Sequence, residues 1–196
     1  LSSKLPNLGT TIFTKMSKLA QEHNAINLSQ GFPDFPPNQK LLELVKQGLD
    51  ENHNQYAPLA GLISLRKTLA EKLYKSYGSR YSAEEEITIT AGATQAIFTA
   101  ISAFIRQDDE VIVFKPAYDC YEPAIELYGG KPILVEMKAP TYKIDWQEVS
   151  AKITSKTKMI VINTPHNPSG TVLEKEDLLQ LQQLVENTNI LILSDE

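Results

Sequence analysis

The chain has 196 residues and a formal net charge of −5, with hydrophobic residues making up 42% of it and charged residues 22%. This length predicts one domain of ordinary size, or one domain and part of another, with enough apolar residues for a buried core. The acidic balance argues against a nucleic-acid-binding protein, because phosphate recognition normally needs a basic face. No apolar run approaches the roughly 20 residues of a membrane span. The single cysteine, Cys120, cannot form an internal disulfide, so we expect a cytoplasmic protein.

The N-terminal part of the sequence predicts helices on either side of an irregular, proline-rich segment. Apolar residues recur at helical spacing in three stretches, 12–20, 41–49 and 62–73. Three prolines and a glycine fall within residues 31–37, a composition that forbids a helix or a central strand. We therefore predict an ordered loop or an extended arm for this segment.

From residue 87 onward, short apolar strands alternate with amphipathic helices. The predicted strands lie at 87–90, 111–114, 133–135, 159–162 and 190–193. The order strand, helix, strand predicts an α/β fold with a mostly parallel sheet that carries helices on both faces. A buried parallel strand usually needs a covering crossover after it, and the chain starts with Leu1 rather than Met. We therefore expect these residues to belong to a longer polypeptide.

The predicted sheet also indicates where a ligand should bind. In open α/β sheets, ligands lie just beyond the carboxyl ends of the strands. Four of the five predicted strands end in polar or aromatic segments, which are 91–94, 115–118, 163–170 and 194–196. These segments predict a site for a small polar ligand.

The first of these segments, Ala91-Gly92-Ala93-Thr94, joins a predicted strand to a predicted helix. Its small residues would let backbone N–H groups approach a phosphate, which the positive end of the helix and the Thr94 hydroxyl would also favour. The alternative is an ordinary tight turn with Thr94 as the helix N-cap. The segment matches neither the Walker pattern nor GxGxxG, which argues against a nucleoside triphosphatase or a dinucleotide-dependent dehydrogenase.

Three further side chains allow a binding role or a structural one. The Tyr118 ring could lie on a planar aromatic ligand or pack at a domain edge. Asn167 sits in a proline-bounded turn that could present its amide, although Asn-Pro is also a common turn. Asp195 follows a predicted core strand, where we expect it to be mostly desolvated. It would then need a cationic partner, such as a protonated pyridine nitrogen, or it would serve as an N-cap or in a structural ion pair.

Five segments in sequence order resemble the class I/II pyridoxal-phosphate-dependent aminotransferases, most closely the branch of kynurenine, glutamine and methionine aminotransferases. They are 27–35, 54–56, 118–123, 163–170 and 194–196, so the similarity covers essentially the whole chain. The resemblance implies an aminotransferase-like large domain at residues 46–196 that binds the cofactor and is truncated at its C-terminal end. Residues 1–45 would form an N-terminal arm and part of a small domain.

The resemblance also implies a set of contacts with pyridoxal 5′-phosphate. Gly92, Ala93 and Thr94 are similar to the loop that holds the cofactor phosphate. Tyr118 resembles the aromatic residue stacked on the pyridine ring, and Asp195 resembles the pyridinium partner. These last two would serve as the catalytic side chains of this segment.

Four residues would extend the site toward substrate and partner. Asn167 resembles the amide that contacts the phenolic oxygen of the cofactor, next to the substrate. Gly31 resembles the backbone contact of the substrate carboxylate, and Phe13 would line the side-chain pocket. Tyr56 resembles the tyrosine that reaches the cofactor phosphate of a neighbouring subunit, which implies an obligatory homodimer.

The implied reaction moves an amino group between an amino acid and a 2-oxo acid through a pyridoxal-phosphate imine. Its donor would be of the methionine, glutamine or aromatic type. No metal, nucleic acid or membrane partner is expected. In the family, the imine-forming lysine and the carboxylate-binding arginine lie beyond the position of Asp195, so we expect the segment alone to be inactive. Two alternatives stay open: a carbon–sulfur β-lyase using the same cofactor, and a non-catalytic regulatory domain with the same fold.

Overall fold

A computed structural model describes residues 2–6, 8–31 and 33–196 of the chain. Phe32, which belongs to the segment 27–35 quoted above, lies outside the described residues. The chain divides into two compact units, one formed by Leu1–Gly9 with Ala91–Glu196 and the other by Thr10–Thr90. The predicted domain boundary after residue 45 concerns the domains of a complete aminotransferase and stays a prediction.

The unit Thr10–Thr90 contains the three predicted helices, which the structure confirms. They are α1 (Ile12–Glu22), α2 (Gln39–Asp50) and α3 (Ile63–Tyr77). The side chains of Thr11 and Asn38 cap α1 and α2 by accepting hydrogen bonds from backbone N–H groups of the first turn. None of the three helices contains a buried residue. Their apolar faces are therefore real, but the described residues leave them largely exposed.

The predicted strand at 87–90 is wrong, because the structure forms no strand there. The backbone N–H of Ile89 donates instead to the carbonyl of Ala60, at 3.0 Å. Gly61 allows this approach with a φ of 89°, since a Cβ atom at that position would lie 2.4 Å from the Ile89 side chain. A short apolar run becomes a strand only beside another strand. Here its neighbour is the loop before α3.

The unit that contains Ala91–Glu196 confirms the α/β prediction. Its elements are α4 (Ala93–Phe104), β1 (Glu110–Lys115), α5 (Tyr121–Leu127), β2 (Lys131–Glu136), α6 (Trp146–Lys152), β3 (Thr157–Asn163), α7 (Lys175–Val185) and β4 (Leu191–Asp195). The strands are all parallel and have the order β2-β1-β3-β4. Among the described residues, no helix has both the length and the apolar character needed to cross a membrane.

Successive residues of the strands point to opposite faces of the sheet, so two separate cores form. Val111 and Val113 of β1 pack in a cluster with buried residues of α4 and α5. Ile112 and Phe114 of the same strand belong to a second cluster, which includes buried residues of α6 and α7. The prediction of helices on both faces is thereby confirmed.

The last strand, β4, differs from the predicted core strand. It is one of the two edge strands of the four-stranded sheet, and its residues alternate between half-buried and exposed. Leu191 and Leu193 pack against the α4/α5 cluster, whereas Ile192 is 38% exposed. The alternation places Asp195 on the α4/α5 face. Because β4 has one strand neighbour in the described chain, Asp195 is half-buried, and the prediction that it is mostly desolvated is wrong.

Candidate functional site

The candidate site lies at the carboxyl edge of the sheet. Asn163 ends β3, Asp195 ends β4, and the two residues are register partners in the parallel ladder. By alternation along their strands, both lie on the face covered by α4 and α5. Lys115 ends β1 at the same edge, where its amino group contacts the Glu122 carboxylate at 2.5 Å. The edge therefore gathers an amide, a carboxylate and an ion pair.

Asp195 is held through both its side chain and its backbone. Its Oδ2 accepts a hydrogen bond from the Tyr121 hydroxyl. Its backbone carbonyl accepts from Nδ2 of Asn163 at 2.8 Å and from the N–H of Thr164 at 3.1 Å. Among the described residues, no donor contacts the other carboxylate oxygen, Oδ1. A half-buried carboxylate that keeps one oxygen for an external donor suits a cationic ligand.

Two tyrosines lie beside this carboxylate. Tyr121 is the first residue of α5 and is only 3% exposed. Its ring meets that of Tyr118 edge to face, with centroids 6.2 Å apart and an interplanar angle of 73°. Burial raises the pKa of the Tyr121 hydroxyl, and its hydrogen bond to Asp195 raises it further. The Tyr121 hydroxyl therefore keeps its proton at neutral pH and serves as a hydrogen-bond donor to Asp195.

The turn after β3 presents Asn167. The backbone N–H of Asn167 donates to Oδ1 of Asn163 at 2.6 Å, so the Asn163 side chain links this turn to β4. Gly170 closes the turn with a φ of 74° and donates to the carbonyl of His166 at 2.7 Å. The side chain of Asn167 is exposed, and its amide has no hydrogen-bond partner in the described parts of the chain. The turn is thus rigid while the amide is available.

The start of α4 is the segment where the sequence predicts a phosphate site. Gly92, with a φ of 86°, is the N-cap, and the helix has no side-chain cap. The alternative that Thr94 caps the helix is therefore wrong, since Thr94 is the second helical residue and is exposed. A Cβ atom at Gly92 would meet nothing within 4 Å, so the space beside the loop is open.

The chain direction orients α4 relative to the sheet. Only a short loop joins the last residue of α4, Phe104, to the first residue of β1, Glu110. The C-terminus of α4 therefore lies near the amino edge of the sheet, and its N-terminus points toward the carboxyl edge. That edge also carries Asp195, as the predicted phosphate site requires.

Burial shifts the pKa of two other reactive side chains near the site. Burial raises the pKa of the Cys120 thiol to about 11, with further contributions from the negative charges of Asp119 and Asp195. Cys120 therefore stays protonated and is no nucleophile at neutral pH. Burial lowers the pKa of His166, which a backbone hydrogen bond with Pro116 partly offsets.

The remaining predicted residues belong to the other unit, Thr10–Thr90. Gly31 is exposed, and a Cβ atom there would meet nothing within 4 Å. Phe13 is half-buried on α1, and Tyr56 is fully exposed in the loop between α2 and α3. Their assigned roles in binding substrate and in reaching a partner subunit stay predictions.

Sequence reasoning missed two residues of the site, Tyr121 and Asn163. Tyr121 follows Tyr118 by three residues, a spacing that can bring two side chains to the same side. Asn163 directly follows the apolar run of β3, at the position where a parallel strand delivers a side chain to its carboxyl edge. Both signals were present, but each also fits an ordinary structural residue.

The family prediction is tested by comparison with known proteins. The model of the family described as aminotransferase class I and II matches residues 23–196. The chain is 48% identical over 194 residues to the methionine aminotransferase of Escherichia coli K12, covering 99% of this chain and 50% of that protein. It is 36% identical to kynurenine–oxoglutarate transaminase 3 of Homo sapiens, covering 100% of this chain and 45% of that protein. The chain spans about half the length of the curated relatives it matches.

Solved structures give the same result. The structure of YbdL from Escherichia coli, described as having a methionine aminotransferase function, superposes with a TM-score of 0.96 at 47% identity, covering 100% of this chain and 51% of that one. The N-succinyldiaminopimelate aminotransferase of Mycobacterium tuberculosis superposes with a TM-score of 0.94 at 32% identity, covering 100% and 52%. The family model, the sequence relatives and the superposed structures agree, and the chain belongs to the class I and II aminotransferase family.

Proposed function

We propose that the polypeptide containing this chain is a pyridoxal-5′-phosphate-dependent aminotransferase. It exchanges an amino group between an amino acid of the methionine, glutamine or aromatic type and a 2-oxo acid. One observation carries the proposal: Asp195 stands at the carboxyl edge of the sheet with one oxygen bound to Tyr121 and the other without a donor among the described residues. Family membership supports it independently.

The residues of this edge fit the cofactor. When bound, pyridoxal phosphate supplies a cationic ring that withdraws electrons from the substrate carbon bearing the amino group. Asp195 Oδ1 would accept a hydrogen bond from the ring nitrogen and keep that nitrogen protonated. Tyr118, which contacts Tyr121 edge to face, would place its ring on the pyridine. The exposed amide of Asn167 would donate to the phenolic oxygen.

The phosphate would bind at the start of α4. Gly92, Ala93 and Thr94 form the N-terminal turn of this 12-residue helix, which has no side-chain cap. Backbone N–H groups and the helix dipole favour an anion there, and the exposed Thr94 hydroxyl can add a hydrogen bond. The open space beside Gly92 leaves room for the group.

Substrate and partner contacts belong to the unit Thr10–Thr90. Gly31 would bind the substrate carboxylate through its backbone, and Phe13 would line the side-chain pocket. Methionine is the leading donor, because the relative that is 48% identical is named a methionine aminotransferase. The fully exposed Tyr56 would bind the cofactor phosphate of a second subunit in a homodimer. A cytoplasmic location stays a prediction.

The lysine that forms the imine is not assigned to any residue of this chain. Among the described residues, Lys115 is the only lysine at a carboxyl strand end, and its amino group is engaged by Glu122. By resemblance, the required lysine follows Asp195 in the complete polypeptide. We therefore expect the 196-residue segment to be inactive by itself.

The test uses the full-length protein. Purified protein should take up pyridoxal 5′-phosphate, acquire its visible absorbance, and convert methionine and a 2-oxo acid into the paired products without releasing ammonia. Ammonia release without an acceptor would instead identify a β-lyase. Cofactor binding with neither reaction would favour the regulatory alternative. Failure to bind the cofactor at saturating concentration would refute the proposal as a whole.

The homodimer is tested by mixing subunits. A subunit that carries both Tyr56→Phe and Asp195→Asn is combined with a wild-type subunit. If Tyr56 acts across the interface, the wild-type active site of the mixed dimer receives a phenylalanine and loses cofactor affinity. Unchanged affinity in that dimer would contradict the assignment.

A further inference from the structure

We propose that Tyr121 is a positioning residue that fixes the orientation of Asp195 toward the cofactor ring. The inference rests on the proposed function, because it concerns how the same site holds pyridoxal phosphate. It adds a residue that neither the sequence patterns nor the family resemblance assigned.

Asp195 ends an edge strand and is half-buried, so its side chain is not immobilised by packing alone. The Tyr121 hydroxyl donates to Oδ2 across 74 residues of sequence. With Oδ2 occupied, Oδ1 is the oxygen that remains for a ligand. One hydrogen bond thus selects both the oxygen that is presented and its direction.

Tyr121 is held in place by the buried cluster around it. It is 3% exposed and belongs to the buried cluster formed with residues such as Ile97, Ile101 and Ile125. A donor fixed in a packed core can orient an acceptor that is itself less confined. The neighbouring Tyr118 ring touches Tyr121 edge to face. Tyr121 therefore links two of the proposed cofactor contacts, the stacking ring and the carboxylate.

The protonation state of the Tyr121 hydroxyl suits this positioning role. Tyr121 holds its proton at neutral pH, because burial and the Asp195 carboxylate both raise its pKa. It therefore stays a hydrogen-bond donor to Asp195 and does not compete for the proton of the pyridine nitrogen. A hydrogen bond to a charged group is stronger than one between neutral groups. Tyr121→Phe removes this bond and keeps the ring that fills the core.

The experiment is a double-mutant cycle in the full-length protein. The variants are Tyr121→Phe, Asp195→Asn and the combination of both. Tyr128→Phe is the matched control, because Tyr128 ends the same helix and packs on Phe98 at 5.7 Å. The dissociation constant of pyridoxal 5′-phosphate is measured by absorbance titration of the apoprotein. The pyridine nitrogen is observed by NMR with ¹⁵N-labelled cofactor, and melting temperatures of the apoproteins report the fold.

We expect Tyr121→Phe to weaken cofactor binding on the order of tenfold. It should also shift the pyridine nitrogen signal toward the deprotonated form, while Tyr128→Phe changes neither. In the Asp195→Asn background, Tyr121→Phe should change affinity by less than about twofold, since the charged acceptor on which it acts is gone.

Three outcomes would overturn the inference. An unchanged affinity and nitrogen signal in Tyr121→Phe would show that the hydroxyl does not position Asp195. An equal loss of affinity in both backgrounds would show that Tyr121 acts through packing instead. If the wild-type protein binds no pyridoxal phosphate, the proposed function fails as well, whereas the first two outcomes leave it intact.

Discussion

Two carboxylates on opposite sides of the sheet each accept a hydrogen bond from a buried aromatic side chain. On the α6/α7 side, Trp146 donates its indole N–H to Oδ1 of Asp177 at 2.8 Å. The other oxygen of Asp177 accepts from the backbone N–H of Glu174 at 2.9 Å, as part of the capping box of α7. On the α4/α5 side, Tyr121 donates to Asp195, whose second oxygen has no donor among the described residues.

The comparison separates a structural carboxylate from a candidate functional one. Asp177 sits at a helix N-terminus with both oxygens hydrogen-bonded inside the protein, so neither oxygen is left without a donor. Asp195 sits at the carboxyl end of a parallel strand with acceptor capacity left over. An aromatic partner alone therefore has no functional meaning. The position in the fold and the oxygen without a donor among the described residues make Asp195 the candidate for binding a ligand.

The largest effect is expected from a pair of isosteric substitutions, one at each of the two carboxylates, in the full-length protein. Asp195→Asn keeps the size and shape of the side chain but removes the charge that would hold the pyridinium proton. We expect kcat/KM to fall on the order of a thousandfold, with little change in the melting temperature of the apoprotein. Steady-state kinetics and thermal denaturation provide the two measurements.

Asp177→Asn is the matched control. It leaves an acceptor for Trp146 and weakens the cap of α7, so we expect a loss of about 1 kcal/mol in the free energy of unfolding. The kcat/KM of the folded enzyme should be unchanged. Near-normal turnover of Asp195→Asn, or an equal kinetic loss in Asp177→Asn, would remove the distinction between the two carboxylates.

Four of the five predicted strands form, and the one that does not, at 87–90, has no strand beside it among the described residues. Residues 111–114 and 159–162 are apolar runs, and the structure buries them between helices on both faces. Residues 87–90 and 190–193 read in the same way, yet the first forms no strand and the second lies in and next to an edge strand. An apolar run reports hydrophobicity alone. Which strand pairs beside it is decided by other parts of the chain.

The sequence predicted those site residues whose position just after a strand can be recognised without knowing any tertiary contact. Asp195 and Asn167 were identified because each follows an apolar strand on a polar segment. Tyr121 was not, since its role depends on a contact with a residue 74 positions away. Asn163 was missed for a related reason, because its two amide atoms bind β4 and the turn after β3 at once. Motifs name the groups that face a ligand, whereas tertiary contacts identify the groups that hold them.

A smaller effect is expected from substituting Asn163. This substitution tests whether the hydrogen bond to the backbone of Asp195 also contributes to cofactor binding. Asn163→Ala removes the bond to the Asp195 carbonyl and the acceptor for the Asn167 N–H. We expect the affinity for pyridoxal 5′-phosphate to fall about tenfold, equivalent to about 1.4 kcal/mol. Equilibrium titration of the full-length apoprotein measures it.

Thr154→Ala controls for the loss of two hydrogen bonds at the opposite, amino edge of the same sheet. The Thr154 hydroxyl donates to Glu110 at 2.5 Å and accepts from the N–H of Lys156 at 3.0 Å. Its removal should lower stability and leave cofactor affinity unchanged. If both variants weaken binding equally, the effect of Asn163 is one of general stability rather than support of the site.

The smallest effect concerns His166, the neighbour of Asn167 in sequence. His166 is 7% exposed, and its ring Nδ1 lies 2.7 Å from the Ser169 hydroxyl, whereas Asn167 is exposed. Burial lowers the pKa of His166 below its ordinary value of 6.5, so the folded protein favours the neutral ring. As the pH falls through 6.5, the unfolded chain binds the proton first, and the free energy of unfolding decreases.

His166→Gln should remove this contribution, so its stability should fall less steeply than that of the wild type between about pH 7 and pH 5. Denaturant unfolding at several pH values measures the slope, and NMR of the histidine ring gives its titration directly. Because the ring faces the interior rather than the ligand, cofactor affinity at neutral pH should not change. An unaltered slope would mean that burial does not perturb the pKa of His166. A loss of cofactor affinity would mean that His166 supports the binding site, as proposed for Asp195, and is not a purely structural residue like Asp177.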